Sequence, residues 1–502
     1  MTTSTQAYDR LRAQFARLAA LDDAMGILQW DRACMMPLGA ASGRGEQLAA
    51  LTRIVHDAMV APGLADDLDA AEAAAATLSP GDRANLAEMR RAQRHAIAVP
   101  GDLAEAATRA SAACEPVWRE ARAASDFSIV AAALGTVIDR QREIGAAKAE
   151  AFGQPLYDCL LDGFEPGLSE ARINPLFDRL AAELPTLIDT ALAQQQGAAD
   201  DGIIPASSAA QHQLAQALLL ALGFDFEKGR LDVSAHPFTG GASGDTRITT
   251  RYNEADALTG LMGVLHELGH ALYEMNLPTR WRGQPAGRSR GMALHESQSM
   301  SIEVVVGRSR AFLTHARAQM QASFGPISAS ADALFRRANR VERGFIRVDA
   351  DALTYPLHII LRTRLEQAMM AGELGATDLP SAWNEGFQAL FGSVPPDDAR
   401  GCLQDIHWYD GAFGYFPTYT LGALGAAQLG AAAFAAQRAA GHDPDALLAA
   451  GQLGWFTDWM RTQVHERASL ADTDTIMTDA TGRPLDTEAW LALVNARIAA
   501  DG

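Results

Sequence analysis

The sequence predicts a mostly α-helical protein with one small β-sheet, and three observations carry that prediction. From Tyr8 to about Gln196 an Ala- and Leu-rich chain places charges every three or four residues, the period of stacked amphipathic helices. Helical periodicity returns from Glu254 to the C-terminus, so only Gly223 to Tyr252, with its short alternating runs, reads as strand. Of the 502 residues 48% are hydrophobic, and no internal repeat, low-complexity linker or long charge block interrupts them. One compact unit is the expectation.

In chain order, Pro37-Leu38-Gly39, Ser79-Pro80-Gly81-Asp82, Pro100-Gly101-Asp102 and Glu165-Pro166-Gly167 supply turns or helix starts. They divide the first 200 residues into six or seven helices. Phe224 to Val233 and Thr246 to Tyr252 are the expected strands, with the Gly-rich Thr239 to Gly244 as the loop between them. Residues 246–252 read as an edge strand that could pair with an extended peptide backbone. Residues 261–275 form an apolar helix, followed by a solvated loop at 278–290 that holds Arg280, Arg282, Arg288 and Arg290. The Gly- and Ala-rich stretch 411–433 is long and apolar but carries Pro417 and Gln428, and reads as buried core.

The 42 Lys and Arg against 61 Asp and Glu give a formal charge of −19, which argues against nucleic acid or an anionic membrane as partner. Cys34, Cys114, Cys159 and Cys402 stand too far apart for a CxxC site and read as reduced thiols. With no basic-then-apolar pattern at the N-terminus, a cytoplasmic location is expected.

The chemistry concentrates in His266-Glu267-Leu268-Gly269-His270. Histidines at i and i+4 share a helix face and can both reach one Zn²⁺, while Glu267 can act as general base on a metal-activated water. A catalytic site needs a third protein ligand. Glu296, arriving from a second helix, is the preferred candidate and its neighbour His295 the rival; only one of two adjacent helical residues faces the metal. Amide hydrolysis is the expected reaction.

Several further blocks accompany that motif. They are His236-Pro237-Phe238, Asp245-Thr246-Arg247-Ile248-Thr249, His295-Glu296-Ser297-Gln298, Ile346-Arg347-Val348-Asp349-Ala350-Asp351, and Gly401-Cys402-Leu403-Gln404-Asp405-Ile406-His407-Trp408. With these in this order, the chain resembles the Taq-type metallocarboxypeptidases, family thirty-two of the metallopeptidases. The likeness extends to Gln29-Trp30-Asp31 and Tyr157-Asp158, so it covers nearly the whole chain. It implies a single carboxypeptidase domain over 1–502, with a helical lobe at about 1–222 and a catalytic region at about 223–502. The implied fold is a large, two-lobed helical metallopeptidase with a deep cleft and a small sheet, shared with thimet-oligopeptidase-like peptidases (gluzincins). The resemblance also implies one Zn²⁺ per subunit on His266, His270 and Glu296, with Glu267 as base, and Co²⁺ or Mn²⁺ as possible substitutes. Removal of single C-terminal residues from peptides, with broad specificity, and a homodimer are implied as well.

A carboxypeptidase must also recognise a free α-carboxylate, and an Arg fork is the strongest donor for one. Arg347 is the choice, with Asp351 at i+4 to hold it; the alternative is an ordinary surface pair. The resemblance places Gln404 and His407 at the same carboxylate. His407 is followed twelve residues later by Tyr419, the spacing of an oxyanion-stabilising Tyr in the related thimet-type fold, with Tyr415 as a weaker second. His236 and Arg247 could border the substrate groove, or Asp245 and Arg247 could simply pin the Gly-rich turn. After Ser299 the chain departs from the family pattern with Met300-Ser301-Ile302-Glu303-Val304, keeping Glu303, and Pro356 is expected to interrupt the helix behind Arg347. An endopeptidase on the same scaffold and a non-catalytic peptide- or metal-binding protein are the competing functions.

Overall fold

The computed structural model describes residues 3–196 and 202–501. Eight α-helices precede residue 197, one or two more than the turn signals predicted, because the short Leu156–Leu161 and Pro62–Ala73 stand as separate helices. Pro80 opens a helix whose Ser79 cap accepts from the Asp82 N–H at 3.1 Å. The first four helices bury Tyr8, Leu11, Phe15, Leu64, Leu68, Leu86 and Met89 in a cluster of their own. The fifth, sixth and eighth (Gly101–Ala124, Ala131–Phe152, Glu170–Gln194) contribute to the largest core.

The sheet has three strands, β1 (Gly229–Val233), β2 (Thr239–Ala242) and β3 (Asp245–Thr250), in the order β1-β3-β2. β3 runs parallel to β1 and antiparallel to β2. Two expectations fail here. The Gly-rich segment is itself a strand, and β3 is central, so its backbone is already paired on both sides. β2 takes the edge, packed by the N-terminal helix Thr3–Cys34. A Cβ at Gly26 would overlap the Gly241 carbonyl, so glycine there sets the approach of helix to strand.

Helix Ala257–Met275 starts at Asp256, whose carboxylate accepts from the Leu258 N–H, and buries Leu258, Leu261, Val264, Leu265, Leu268 and Leu272. Each such side chain contributes roughly 1.5–3 kcal/mol. Helix Met292–Met300 continues directly into a π-helical segment, Ser301–Gly307. Beneath them runs Pro417–Ala439, the one helix among the described residues long and apolar enough to cross a membrane; two thirds of its apolar window is buried in the protein. Its small residues admit its neighbours closely: a Cβ at Gly422 would fall 2.5 Å from the Glu296 Cβ. Pro356 does not interrupt a helix. It is the second residue of Tyr355–Ala371, where its missing N–H has no partner to lose.

Candidate metal centre

His266 and His270 emerge from one face of helix Ala257–Met275, and Glu296 meets them from helix Met292–Met300. Their donor atoms all lie within 4.8 Å of one another. Glu296 Oε2 stands 3.8 Å from His266 Nε2 and 3.4 Å from His270 Nε2. Tetrahedral ligands with bonds of about 2.0–2.1 Å stand roughly 3.3 Å apart, so this set fits a divalent cation with little adjustment. Gly269 makes the approach of the two helices possible, since a Cβ there would overlap the Gln298 carbonyl and lie 2.5 Å from the Ser299 Cα.

Each histidine has its other nitrogen taken up by the protein. His266 Nδ1 is 3.0 Å from Glu303, the acid kept in the divergent segment, which also binds Arg308. His270 Nδ1 is 2.7 Å from His295 Nδ1, and His295 Nε2 is 2.8 Å from Glu274. The rivalry between Glu296 and His295 is thereby resolved geometrically: His295 orients a ligand rather than joining the set. These contacts leave both Nε2 atoms to face the centre, as a metal requires. Without a cation, burial pulls the His266 imidazole down, but Glu296, Glu303 and Glu267 outweigh it and push it up to about 10. Glu296 moves the other way; burial raises it, yet His266, His270 and Ser299 hold it below its ordinary value. Glu267 is buried beside the centre, its Oε2 accepting from Thr239 Oγ1 of β2 at 2.6 Å.

A cavity of about 670 Å³ opens over this group, lined by His266, Glu267, Glu296, Arg347, Tyr355 and Tyr419 among others. Arg347 is buried, but Asp351 does not hold it: that carboxylate accepts from the Leu353 and Thr354 N–H groups of its own turn and from the distant Glu342 N–H. The partner is Asp405, which accepts from Arg347 Nε at 3.0 Å and Nη2 at 2.8 Å and pairs also with the fully buried Arg362 at 2.6 Å. Burial raises the Asp405 carboxyl, but the two guanidiniums hold it far below the usual carboxylate range. Burial in turn pulls Arg362 down to about 10.

His407 Nε2 lies 3.3 Å from the Tyr419 hydroxyl, so the twelve-residue spacing does bring the two together. Burial draws this imidazole down to about 4 and pushes the Tyr419 phenol up to about 12. The His407 ring is therefore neutral and the phenol protonated near pH 7. Tyr415 packs edge-on against Tyr419 at 5.1 Å.

Three residues expected at the substrate are not among those lining the cavity. Gln404 accepts from the Arg347 N–H and donates to the carbonyls of Phe345, Arg400 and Gly401, so its amide staples two loops, and it does not line the cavity. Arg247 pairs with Asp245 at 2.6 Å and lies 4.2 Å over the Trp30 ring, as the structural alternative expects. His236 is exposed and does not line the cavity, although its neighbour Pro237 does. Sequence reasoning missed Arg362, Tyr355, Thr239 and Glu274. Arg362 had a signal: His358, Arg362 and Glu366 recur every four residues inside an apolar helix, and all three are fully buried.

Comparison with known proteins gives this arrangement its class. Residues 10–498 match the family model described as Carboxypeptidase Taq (M32) metallopeptidase. Among curated relatives, Thermostable carboxypeptidase 1 of Thermus thermophilus is 38% identical and Carboxypeptidase 1 of Bacillus subtilis 32%, covering 99% and 94% of this chain and 99% and 93% of theirs. Among solved structures, Trypanosoma cruzi metallocarboxypeptidase 1 superposes with a TM-score of 0.95 at 34% identity, covering 98% of this chain and 99% of its own. The M32 carboxypeptidase of Deinococcus radiodurans gives 0.92 at 30% identity, covering 99% of each. The chain belongs to the carboxypeptidase Taq family of metallopeptidases and is a metal-dependent carboxypeptidase.

Proposed function

We propose that the metal is Zn²⁺, one per chain, held by His266, His270 and Glu296, and that the enzyme removes single C-terminal residues from peptides with Glu267 as general base. Two imidazoles and one carboxylate are a catalytic zinc donor set. When bound, the cation supplies a Lewis acid that polarises the scissile carbonyl and makes water acidic enough to be deprotonated near neutral pH. Glu267 has Oε2 pinned by Thr239, which leaves Oε1 to take the proton of the attacking water and pass it to the departing nitrogen. Tyr419, kept protonated by burial and oriented by His407, donates to the oxygen that becomes negative in the transition state, and Tyr415 fixes its ring.

The observation that carries the exopeptidase reading is a charge imbalance. Two buried guanidiniums, Arg347 and Arg362, share the single carboxylate Asp405, and the excess positive charge lies at the cavity wall formed by Arg347, in the same cavity as Glu267. A substrate α-carboxylate completes the neutralisation, and Arg347 is the member of the pair that lines the cavity. Four cysteines without a disulfide accord with a reducing cytoplasm, and a homodimer is part of the same reading, checked by light scattering of the purified chain.

Glu267→Gln tests the base. The variant should bind zinc with unchanged stoichiometry and lose about 10²–10⁴-fold in kcat/KM. Retained activity with the metal in place would remove Glu267 from the chemistry.

A further inference from the structure

Two tyrosines line the metal cleft. The hydroxyl of Tyr419 is taken up by His407, whereas that of Tyr355 donates to no group among the described residues. Tyr355 is half-buried, so this hydroxyl is neither satisfied inside the protein nor sealed away from the cavity.

Its neighbours define the wall on which it stands. The Tyr355 and Tyr419 rings meet edge to face at 6.2 Å, and the Arg347 guanidinium lies 5.0 Å over that same Tyr419 ring. Arg347 also acts on the Tyr355 phenol directly, by charge and as a hydrogen-bonding neighbour, while the Glu296 carboxylate acts on it from the metal side. Burial is the largest influence and holds the phenol well above its ordinary value, so near pH 7 it is a donor. An oxygen that accepts from a guanidinium keeps its own proton for another acceptor.

The position of Tyr355 is built by the block that contains Arg347. The Asp351 carboxylate accepts from the Leu353 N–H at 2.8 Å and from Thr354 through its N–H at 3.1 Å and its hydroxyl at 2.7 Å. The Asp351 carbonyl then accepts from the Tyr355 N–H at 2.9 Å, which makes Tyr355 the first residue of its helix. Asp351 thus fixes the residue beside Arg347 rather than Arg347 itself. The positive end of this 17-residue helix lies at the same wall, where it favours an anion. Arg347 has a donor to spare here, since Nε and Nη2 are spent on Asp405 and Nη1 has no partner among the described residues.

We propose that the Tyr355 hydroxyl is a second donor to the α-carboxylate of the substrate, one carboxylate oxygen accepting from Arg347 Nη1 and the other from Tyr355. This rests on the reading of the cleft as the site of a carboxypeptidase. Neighbouring donors match the two oxygens of one carboxylate, whereas a C-terminal amide presents an NH₂ group, itself a donor, to one of them. The phenol adds selectivity without adding charge, beside a group in which two guanidiniums already share one carboxylate. The α-carboxylate is unchanged by the reaction, so the contact is as strong in the ground state as in the transition state and its loss belongs in KM.

The test compares the metal-loaded parent, Tyr355→Phe and Arg347→Ala on one N-acylated dipeptide, supplied as free acid and as C-terminal amide. kcat and KM are measured separately, with metal content and thermal midpoint recorded for each protein. Tyr355→Phe should keep its metal and its midpoint, raise KM for the free acid at least about tenfold with kcat within about twofold, and lower the preference for acid over amide by the same factor. Two results would overturn the proposal and leave the carboxypeptidase reading in place. One is an unchanged KM while the parent prefers the free acid and Arg347→Ala loses that preference. The other is a fall in kcat on acid and amide alike, which would put the phenol on the oxyanion instead. A parent that cleaves both peptides equally would remove the carboxylate receptor itself, and this proposal with it.

Discussion

Asp405 carries more of the site than its single charge suggests. It sits between Arg347 and Arg362, and Asp405→Asn would leave two buried guanidiniums without a counter-charge. The expected cost is about 3–5 kcal/mol, seen as a lower denaturant midpoint with an unchanged slope. A midpoint equal to the parent's would show that solvent already neutralises the pair. At this scale the sequence was informative about identity and poor about partners. The i,i+4 spacing located His266 and His270, because helix geometry alone places them on one face. It also suggested Asp351 for Arg347, but that carboxylate caps the start of its own helix, a local competition that spacing does not report. Contacts made across tens or hundreds of residues, such as Arg347 with Asp405 or Thr239 with Glu267, have no local signature.

Among the elements, the two ligand helices depend on close approach. Gly269→Ala would press a methyl group into the backbone of Gln298 and Ser299, so helices Ala257–Met275 and Met292–Met300 must separate. The expected result is a loss of several kcal/mol and a marked drop in metal affinity, measured by thermal denaturation and competition with a chelator. Helix Tyr355–Ala371 supplies a pH-dependent element. Glu366 is fully buried and accepts from Tyr157, Trp408 and the Gly414 N–H, yet burial outweighs these bonds and raises its carboxyl to about 7. Since the folded value lies above the unfolded one, its contribution is fully present below about pH 4.5 and is lost as pH rises through 7. The shift corresponds to about 3 kcal/mol. Glu366→Gln should therefore gain about that much stability relative to the parent between pH 4.5 and 8, and a constant difference across that range would contradict the assignment. Element type was legible wherever periodicity was strong. β2 was not, because Thr-Gly-Gly-Ala has neither alternation nor β-branched bulk, and it is a strand because β3 offers it a partner. The π-helical turn at Ser301–Gly307 was equally silent; it turns Glu303 toward His266 while Gly307 lets Leu265 approach.

For the whole molecule, the N-terminal helices are fastened to the region around the metal. Asn85 donates to Gln284 at 3.0 Å, and the supposedly solvated arginines of the 278–290 loop bind these helices, Arg288 to Asp22 and Arg290 to Glu88. With the Thr3–Cys34 helix against β2, the four-helix cluster is packed onto the catalytic region along several elements. The helical class and the ordered blocks were readable from one sequence, whereas the way the blocks converge on one cavity required the fold. On the proposed reading, this cavity combines a hydrolytic metal centre with a receptor for a free C-terminus. The most direct measurement is mass spectrometry of one peptide supplied as free acid and as C-terminal amide, digested by the zinc-loaded parent and by Arg347→Ala. Stepwise loss of single C-terminal residues from the free acid alone is expected in the parent, and a selective loss of that preference in the variant. Internal cleavage of both peptides, with no difference between parent and variant, would contradict it.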